Sequence, residues 1–245
     1  MNSLTLRTKS CVRSIEHWLS RRLGHSSVTL AFRAMPWLQT ARASLDAHDA
    51  HYRIEKALDE ERQYIQRQWG LDAQNAPGFA LGPLVEHHPG VRALAVDIGA
   101  GTGWVAGWLA RQFELVHAIE PSRAAVTIAK RILAASNIEW HVGMAEDMLA
   151  RLTLPSPALF VTGCVLSHLR DSETRTICRL VSQKAPRGSL LCFAECWGEE
   201  HHQPIWHVRS QDWWRSALPG WQLEFLSCNI EVPGRYKGIH GVKSS

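Results

Sequence analysis

Residues Leu94 to Trp104 read LAVDIGAGTGW, an apolar run that ends in an acid and then places glycine at every second position. Leu94, Ala95 and Val96 suit a buried strand, and Asp97 marks where the chain leaves the sheet. Gly99, Gly101 and Gly103 allow a tight turn in which no side chain stands between the backbone and a ligand. The chain continues as WVAGWLA, Trp104 to Ala110, a helix whose N-terminal amides would face the same ligand. Strand, glycine turn and helix in this order indicate an α/β protein that binds a small molecule at the strand end.

A dinucleotide fingerprint requires a third Gly or Ala three residues after the second glycine, so that helix and strand pack closely. Counting from Gly101, that position is Trp104. A pyrophosphate cradle is therefore not expected. The pattern Asp97-x-Gly99-x-Gly101-x-Gly103 instead resembles motif I of the class I S-adenosylmethionine-dependent methyltransferases. The resemblance implies a Rossmann-like, doubly wound, seven-stranded and mostly parallel sheet. It also implies S-adenosylmethionine as cofactor, with Asp97, Gly99, Ala100, Gly101 and Gly103 around it.

Later segments follow the same family in order. Glu114 to Pro121, ELVHAIEP, is a short strand ending in Glu120. An acid about 20 residues past the glycine turn can accept hydrogen bonds from ribose hydroxyls, and the family uses such an acid for that purpose. Ser122 is a plausible N-cap of the next helix, which extends to Ala135 with an apolar stripe that includes Ala125, Ile128, Ala129 and Ile132. Ile138 to Val142 reads as the third strand. Family members often carry Asp after the following Gly143, where this chain has Met144. The resemblance then leaves adenine to backbone near Ala145, with Glu146 or Asp147 as polar partner, or to Met144 packing on the purine face. An acidic helix N-terminus favoured by the helix dipole explains the same residues without a ligand.

Ala158 to Cys164 is the expected fourth strand, and Thr162, Gly163 and Cys164 would lie under the methionine part of the cofactor. The next residues, Val165 to Asp171, read VLSHLRD. They lack the Asn/Asp-Pro-Pro-aromatic tetrapeptide that holds planar amino groups in many N-methyltransferases. Some plant-type O-methyltransferases place a catalytic His in this segment. The matching position here is Ser167, with His168 beside it, so His168 is the candidate base, or else a structural residue tying the strand end to the next helix. A helix from Glu173 to Ala185, a fifth strand within Gly188 to Trp197, and a final pair at Trp221–Ile230 and Lys237–Lys243 complete the series, the seventh strand being antiparallel.

Composition agrees with this organisation. A chain of 245 residues, 45% hydrophobic and 20% charged, suffices for one α/β domain with an appendage. Residues 71–245 are expected to form the methyltransferase domain and residues 1–70 an N-terminal helical cap, with amphipathic helices over Ser14–Leu23 and about Ala50–Trp69. No apolar run approaches the ~18 residues of a membrane span. The six cysteines show no metal-site spacing, and read as buried small hydrophobes in a reducing, cytoplasmic setting.

Up to Leu45, Arg and Lys greatly outnumber a single acid, Glu16. No uninterrupted apolar core suggests a secretory signal. The stretch resembles an organellar transit peptide in composition, and contact with nucleic acid or a membrane surface is an alternative. The preferred reading is a helix packing on the domain as part of a substrate cover.

Tryptophan is over-represented, with eleven in the chain. Most are expected in the core. Trp197, at the end of the fifth strand, is the favoured candidate for an acceptor-pocket wall. Glu199, Glu200, His201, His202 and His207 form a polar loop cluster, but consecutive loop residues rarely face one point, and no metal is expected. A single His in this loop is a second candidate base. The resemblance thus implies O-methylation of a small-molecule or glycan acceptor. Alternatives are methylation of RNA or protein, with the basic N-terminus for docking, and a cofactor-binding subunit without turnover.

Overall fold

The computed structural model describes residues 80–133, 135–198, 201–203, 206–226 and 237–244, with the side chains of 124, 201–203 and 206 left aside. All of these lie in the larger of two units into which the chain divides, Glu61–Ser245. The helices expected within residues 1–70 fall outside the described residues, as do Glu199 and Glu200 and the side chains of His201 and His202.

The strands are β1 (Leu94–Ile98), β2 (Leu115–Glu120), β3 (Ile138–Val142), β4 (Ala158–Gly163), β5 (Leu190–Glu195), β6 (His201–Gln203), β7 (Trp206–Val208), β8 (Trp221–Leu226) and β9 (Lys237–Lys243). The helices are α1 (Leu81–His87), α2 (Trp104–Leu109), α3 (Arg123–Ile132), α4 (Ala145–Arg151), α5 (Asp171–Lys184) and α6 (Gln211–Ala217). Seven strands form one sheet in the order β3-β2-β1-β4-β5-β9-β8, while β6 and β7 pair separately. The pairings from β3 through β5 are parallel, and β9 runs antiparallel to both β5 and β8. This is the doubly wound, mostly parallel sheet expected from the sequence.

Side chains alternate across the sheet. Leu94, Val96 and Ile98 join Phe160 and Phe193 under Ile177 and Val181 of α5 and Trp214 of α6. Ala95, Ala118, Val161 and Cys192 lie on the other face with Leu81 of α1 and Val105 and Leu109 of α2. Covering both faces is what lets β1, β4 and β5 be nearly continuous apolar runs. Burial of each large aliphatic or aromatic side chain contributes roughly 1.5–3 kcal/mol.

The structure corrects one expectation. Asp97 does not leave the sheet: β1 stays paired through Ile98, with Asp97 opposite Ala118 and Val161 and only 3% exposed. A central strand has both edges hydrogen-bonded, so its ladder continues to the residue before the glycine. Cys178, Cys192 and Cys196 are buried, and burial pushes the Cys178 thiol up to about 12. Trp108, Trp214 and Trp221 are buried as expected for core tryptophans. Among the described residues no helix is long and apolar enough to cross a membrane.

Candidate active site

β3, β2, β1 and β4 are neighbours and parallel, so the turns that follow them open along one end of the sheet. The strand order reverses between β1 and β4. Such a switch point leaves a crevice, because the connections on its two sides depart to opposite faces.

The three glycines after β1 have φ of 77°, 55° and 85°, a left-handed conformation that costs a residue with a side chain about 1–2 kcal/mol. Their surroundings differ. A Cβ on Gly99 would strike Val165 of the segment after β4, and one on Gly103 would come within 2.7 Å of Leu133 and Trp140. A Cβ on Gly101 would meet nothing within 4 Å among the described residues. Gly99 and Gly103 therefore let protein parts pack against each other, while Gly101 faces open space.

The amides of the turn are occupied. Gly99 and Ala100 donate to the Ile119 carbonyl at 2.8 and 3.0 Å, and Gly103 donates to the Ala100 carbonyl at 2.8 Å. Gly101 donates to Glu120 Oε2 at 3.0 Å. A pyrophosphate cradle requires such amides to point at the ligand. Here these four donate within the protein, so the turn suits a neutral or cationic ligand better than a polyanion.

Glu120 is the hub of this arrangement. Its Oε1 accepts from the Ser122 amide at 2.8 Å, and the side chain is largely buried at the end of β2. Ser122 also caps α3, its Oγ accepting from the Ala125 amide at 3.2 Å. The Glu120 carbonyl accepts from Gly143 at 3.2 Å, which ties the exit of β3 to the same point. Beyond Gly143, Met144 occupies the N-cap of α4, Ala145 and Glu146 are half-buried and Asp147 is exposed. Met148 packs over Gly143, its Cε 2.9 Å from where a Cβ would stand.

Asp97 is buried, and its Oδ2 has no hydrogen-bond partner among the described residues. Burial, then the nearby Glu120, pushes its pKa up to about 7 against the opposing hydrogen bond from Ala106. A carboxyl raised in the folded state binds its proton more tightly there than in the unfolded chain, so stability falls as pH rises from about 4 through 7. Every tenfold difference in proton affinity between the two states corresponds to about 1.4 kcal/mol. Urea unfolding at pH 5 and pH 8 should therefore show a loss of a few kcal/mol in the native sequence, much reduced in Asp97→Asn. Equal pH dependence in the two proteins would show that Asp97 titrates normally.

The segment after β4 is held from beneath by two buried charges. Glu195, fully buried at the end of β5, accepts from Thr162 Oγ1 at 2.7 Å and from the amides of Val165, Leu166 and Ser167 at 3.1, 3.0 and 2.8 Å. Arg209, 1% exposed, donates to the Leu166 and Leu169 carbonyls at 2.9 and 2.7 Å and to Asp171 Oδ1 at 2.9 Å. Its guanidinium also stacks over Trp213, 4.7 Å from the ring centre. One ion thus takes the segment's amides and the other its carbonyls.

Thr162 is consequently fully buried, with its hydroxyl turned to Glu195 rather than free for a ligand. Ser167 is buried as well, whereas His168, at the end of the 3-10 turn Leu166–His168, is exposed. Cys164 takes a left-handed φ of 59° where β4 ends, and its amide donates to the Ala194 carbonyl at 2.9 Å. Trp197 is tied to the β8–β9 pair: its Nε1 donates to the Gly238 carbonyl at 3.3 Å, its ring meets Phe225 edge-on, and Lys237 Nζ sits 4.3 Å from its centre.

Glu195 and Arg209 escape the sequence reading. The one signal for Glu195 was an acid closing an otherwise apolar strand, LLCFAE, and Arg209 offers none.

Comparison with known proteins places this geometry. Residues 95–186 match the family model described as a methyltransferase domain. No curated protein matches the chain by sequence. A putative S-adenosylmethionine-dependent methyltransferase from Listeria monocytogenes shares the fold at TM-score 0.54 and 16% identity, over 73% of this chain and 98% of that one. The S-adenosylmethionine-bound amino pentose methyltransferase CalS10 from Micromonospora echinaspora is similar at TM-score 0.54 and 13% identity, over 66% and 88%. A chain from the Haloferax volcanii complex of the Trm112 methyltransferase activator with a putative methyltransferase reaches TM-score 0.55 at 15% identity, over 78% and 96%. The family match spans the glycine turn, Glu120 and the segment after β4, so residues 95–186 carry a methyltransferase domain, and the seven-stranded sheet that runs on to Lys243 is the fold shared with these methyltransferase structures.

Proposed function

We propose that this enzyme methylates a hydroxyl oxygen of a small-molecule or glycan acceptor at the end of β4. The observation that carries the reading is the segment Leu166-Ser167-His168: it presents an exposed imidazole beside the crevice, without the Asn/Asp-Pro-Pro-aromatic clamp suited to a planar amino group. The cofactor fits the residues present, since Gly101 leaves side-chain-sized room and Asp97 Oδ2 is a buried acceptor without a partner among the described residues.

S-adenosylmethionine supplies an electrophilic methyl group carried on a sulfonium. In our reading Glu120 accepts from the ribose hydroxyls, and the backbone from Gly99 through Gly103 forms the floor. Ala145 and Glu146 border the adenine. Thr162 acts indirectly, through Glu195 and the loop it holds. Rigid support of that loop fixes the acceptor's approach, and alignment for in-line attack is itself a large share of catalysis in such transfers. His168 removes the acceptor hydroxyl proton; imidazole is the side chain whose ordinary ionisation lies nearest neutrality.

The test is transfer of a labelled methyl group to small-molecule, glycan and RNA fractions of the source cell. The glycan arm should include free sugars, because one fold relative is an amino pentose methyltransferase. Label in the small-molecule or glycan fraction supports the reading, and label in RNA replaces it. On an identified substrate, His168→Gln should lower kcat by about 10²–10⁴ at unchanged cofactor affinity, with a smaller deficit as pH rises. An unchanged kcat would remove His168 as the base.

A further inference from the structure

β2 and β3 bring together three side chains that the methyl-transfer reading does not use. The strands pair in parallel with His117 opposite Glu139 and Ile119 opposite His141. Period-two alternation therefore puts His117, Glu139 and His141 on one face of the sheet. β3 is the edge strand, so this corner borders solvent.

His117 Nδ1 lies 3.1 Å from His141 Nε2 and 3.3 Å from Glu139 Oε2, and His141 Nε2 lies 4.0 Å from that same oxygen. All three ligand atoms thus fall within 4.8 Å of one another. Metal–ligand bonds near 2.0–2.1 Å at tetrahedral angles separate neighbouring ligand atoms by about 3.3 Å. Two of the three distances match that spacing. The longer one involves Glu139, whose side chain is 59% exposed and free to turn.

We propose that His117, Glu139 and His141 form a three-ligand site for a divalent late first-row metal ion, zinc foremost, which pins the edge strand β3 to β2. Two imidazoles with one carboxylate suit zinc and its neighbours rather than calcium or magnesium, which prefer all-oxygen shells. The fourth position opens toward solvent and water. Metal binding needs uncharged imidazoles. Without a metal, the same ring nitrogens share a single hydrogen bond, and the two states are distinguishable by experiment.

The experiment uses the full chain stripped with a chelator, then titrated with Zn2+ by calorimetry and with Co2+ by its visible d–d absorption. One equivalent of each should bind to the native sequence. Glu139→Gln and His141→Gln should each weaken that binding at least tenfold while S-adenosylhomocysteine affinity, which reports an intact fold, persists. Zinc in hundredfold excess over its Kd should raise Tm by roughly 5–10 °C in the native protein and hardly at all in His141→Gln. Because other histidines are present, a His201→Gln/His202→Gln protein serves as control and should bind as the native chain does. Stoichiometric binding that survives both strand variants, that disappears only in the loop control, or that is absent from the native chain would overturn the site.

Discussion

Gly101→Val is expected to leave a folded protein that no longer binds S-adenosylhomocysteine. At φ 55° the new side chain carries the left-handed penalty of about 1–2 kcal/mol, but its Cβ meets no atom of the described residues within 4 Å. The branched methyls instead fill the room in which the ligand lies. Calorimetry should show affinity reduced at least a hundredfold, about 2.7 kcal/mol or more, with a melting temperature only a few degrees lower. Gly103→Ala should behave in the opposite way. There a single methyl meets Leu133 and Trp140 at 2.7 Å and carries the same backbone penalty, so stability falls before affinity does. Retained ligand affinity in folded Gly101→Val would mean that the open space beside Gly101 is not the cofactor's place.

The largest effect on stability should come from Glu195. Replacing it by Ala leaves three amides and the Thr162 hydroxyl without their shared acceptor in a site closed to water. Losses of this kind are not additive over the individual bonds, but each buried donor left unsatisfied costs about 1–3 kcal/mol. Glu195→Gln keeps the size and one acceptor oxygen, and should recover part of that loss. Denaturant unfolding measures both. Ligand affinity should fall with stability, because the segment after β4 supplies Val165, which packs against Gly99. A Glu195→Ala protein within about 1 kcal/mol of the native chain would show that water replaces the carboxylate and that the segment needs no such anchor.

The sequence by itself determined the parts whose requirements are local. Glycine at three alternate positions is a conformational statement, and all three take the positive φ that only glycine adopts readily. The apolar runs of β1, β4 and β5 announce strands buried on both faces, and Ser122 announces the cap of α3. Glu120 was legible because a fixed chain length separates it from the glycine turn in a strand–helix–strand unit. Its amide contacts with Gly101 and Ser122 follow from that unit alone.

Only the tertiary structure decided what the buried charges do. Glu195 meets Thr162 and the Val165–Ser167 amides across 28 to 33 residues, and Arg209 reaches Leu166 across 43. His117 and His141 lie 24 residues apart and meet because two strands share a register. It also separated the glycines, giving Gly99 and Gly103 to protein packing and Gly101 to open space. A residue's conformational preference is written in itself and its neighbours, but the cost of burying a charge is set by its surroundings. Those surroundings are assembled from remote segments, and no local pattern states them.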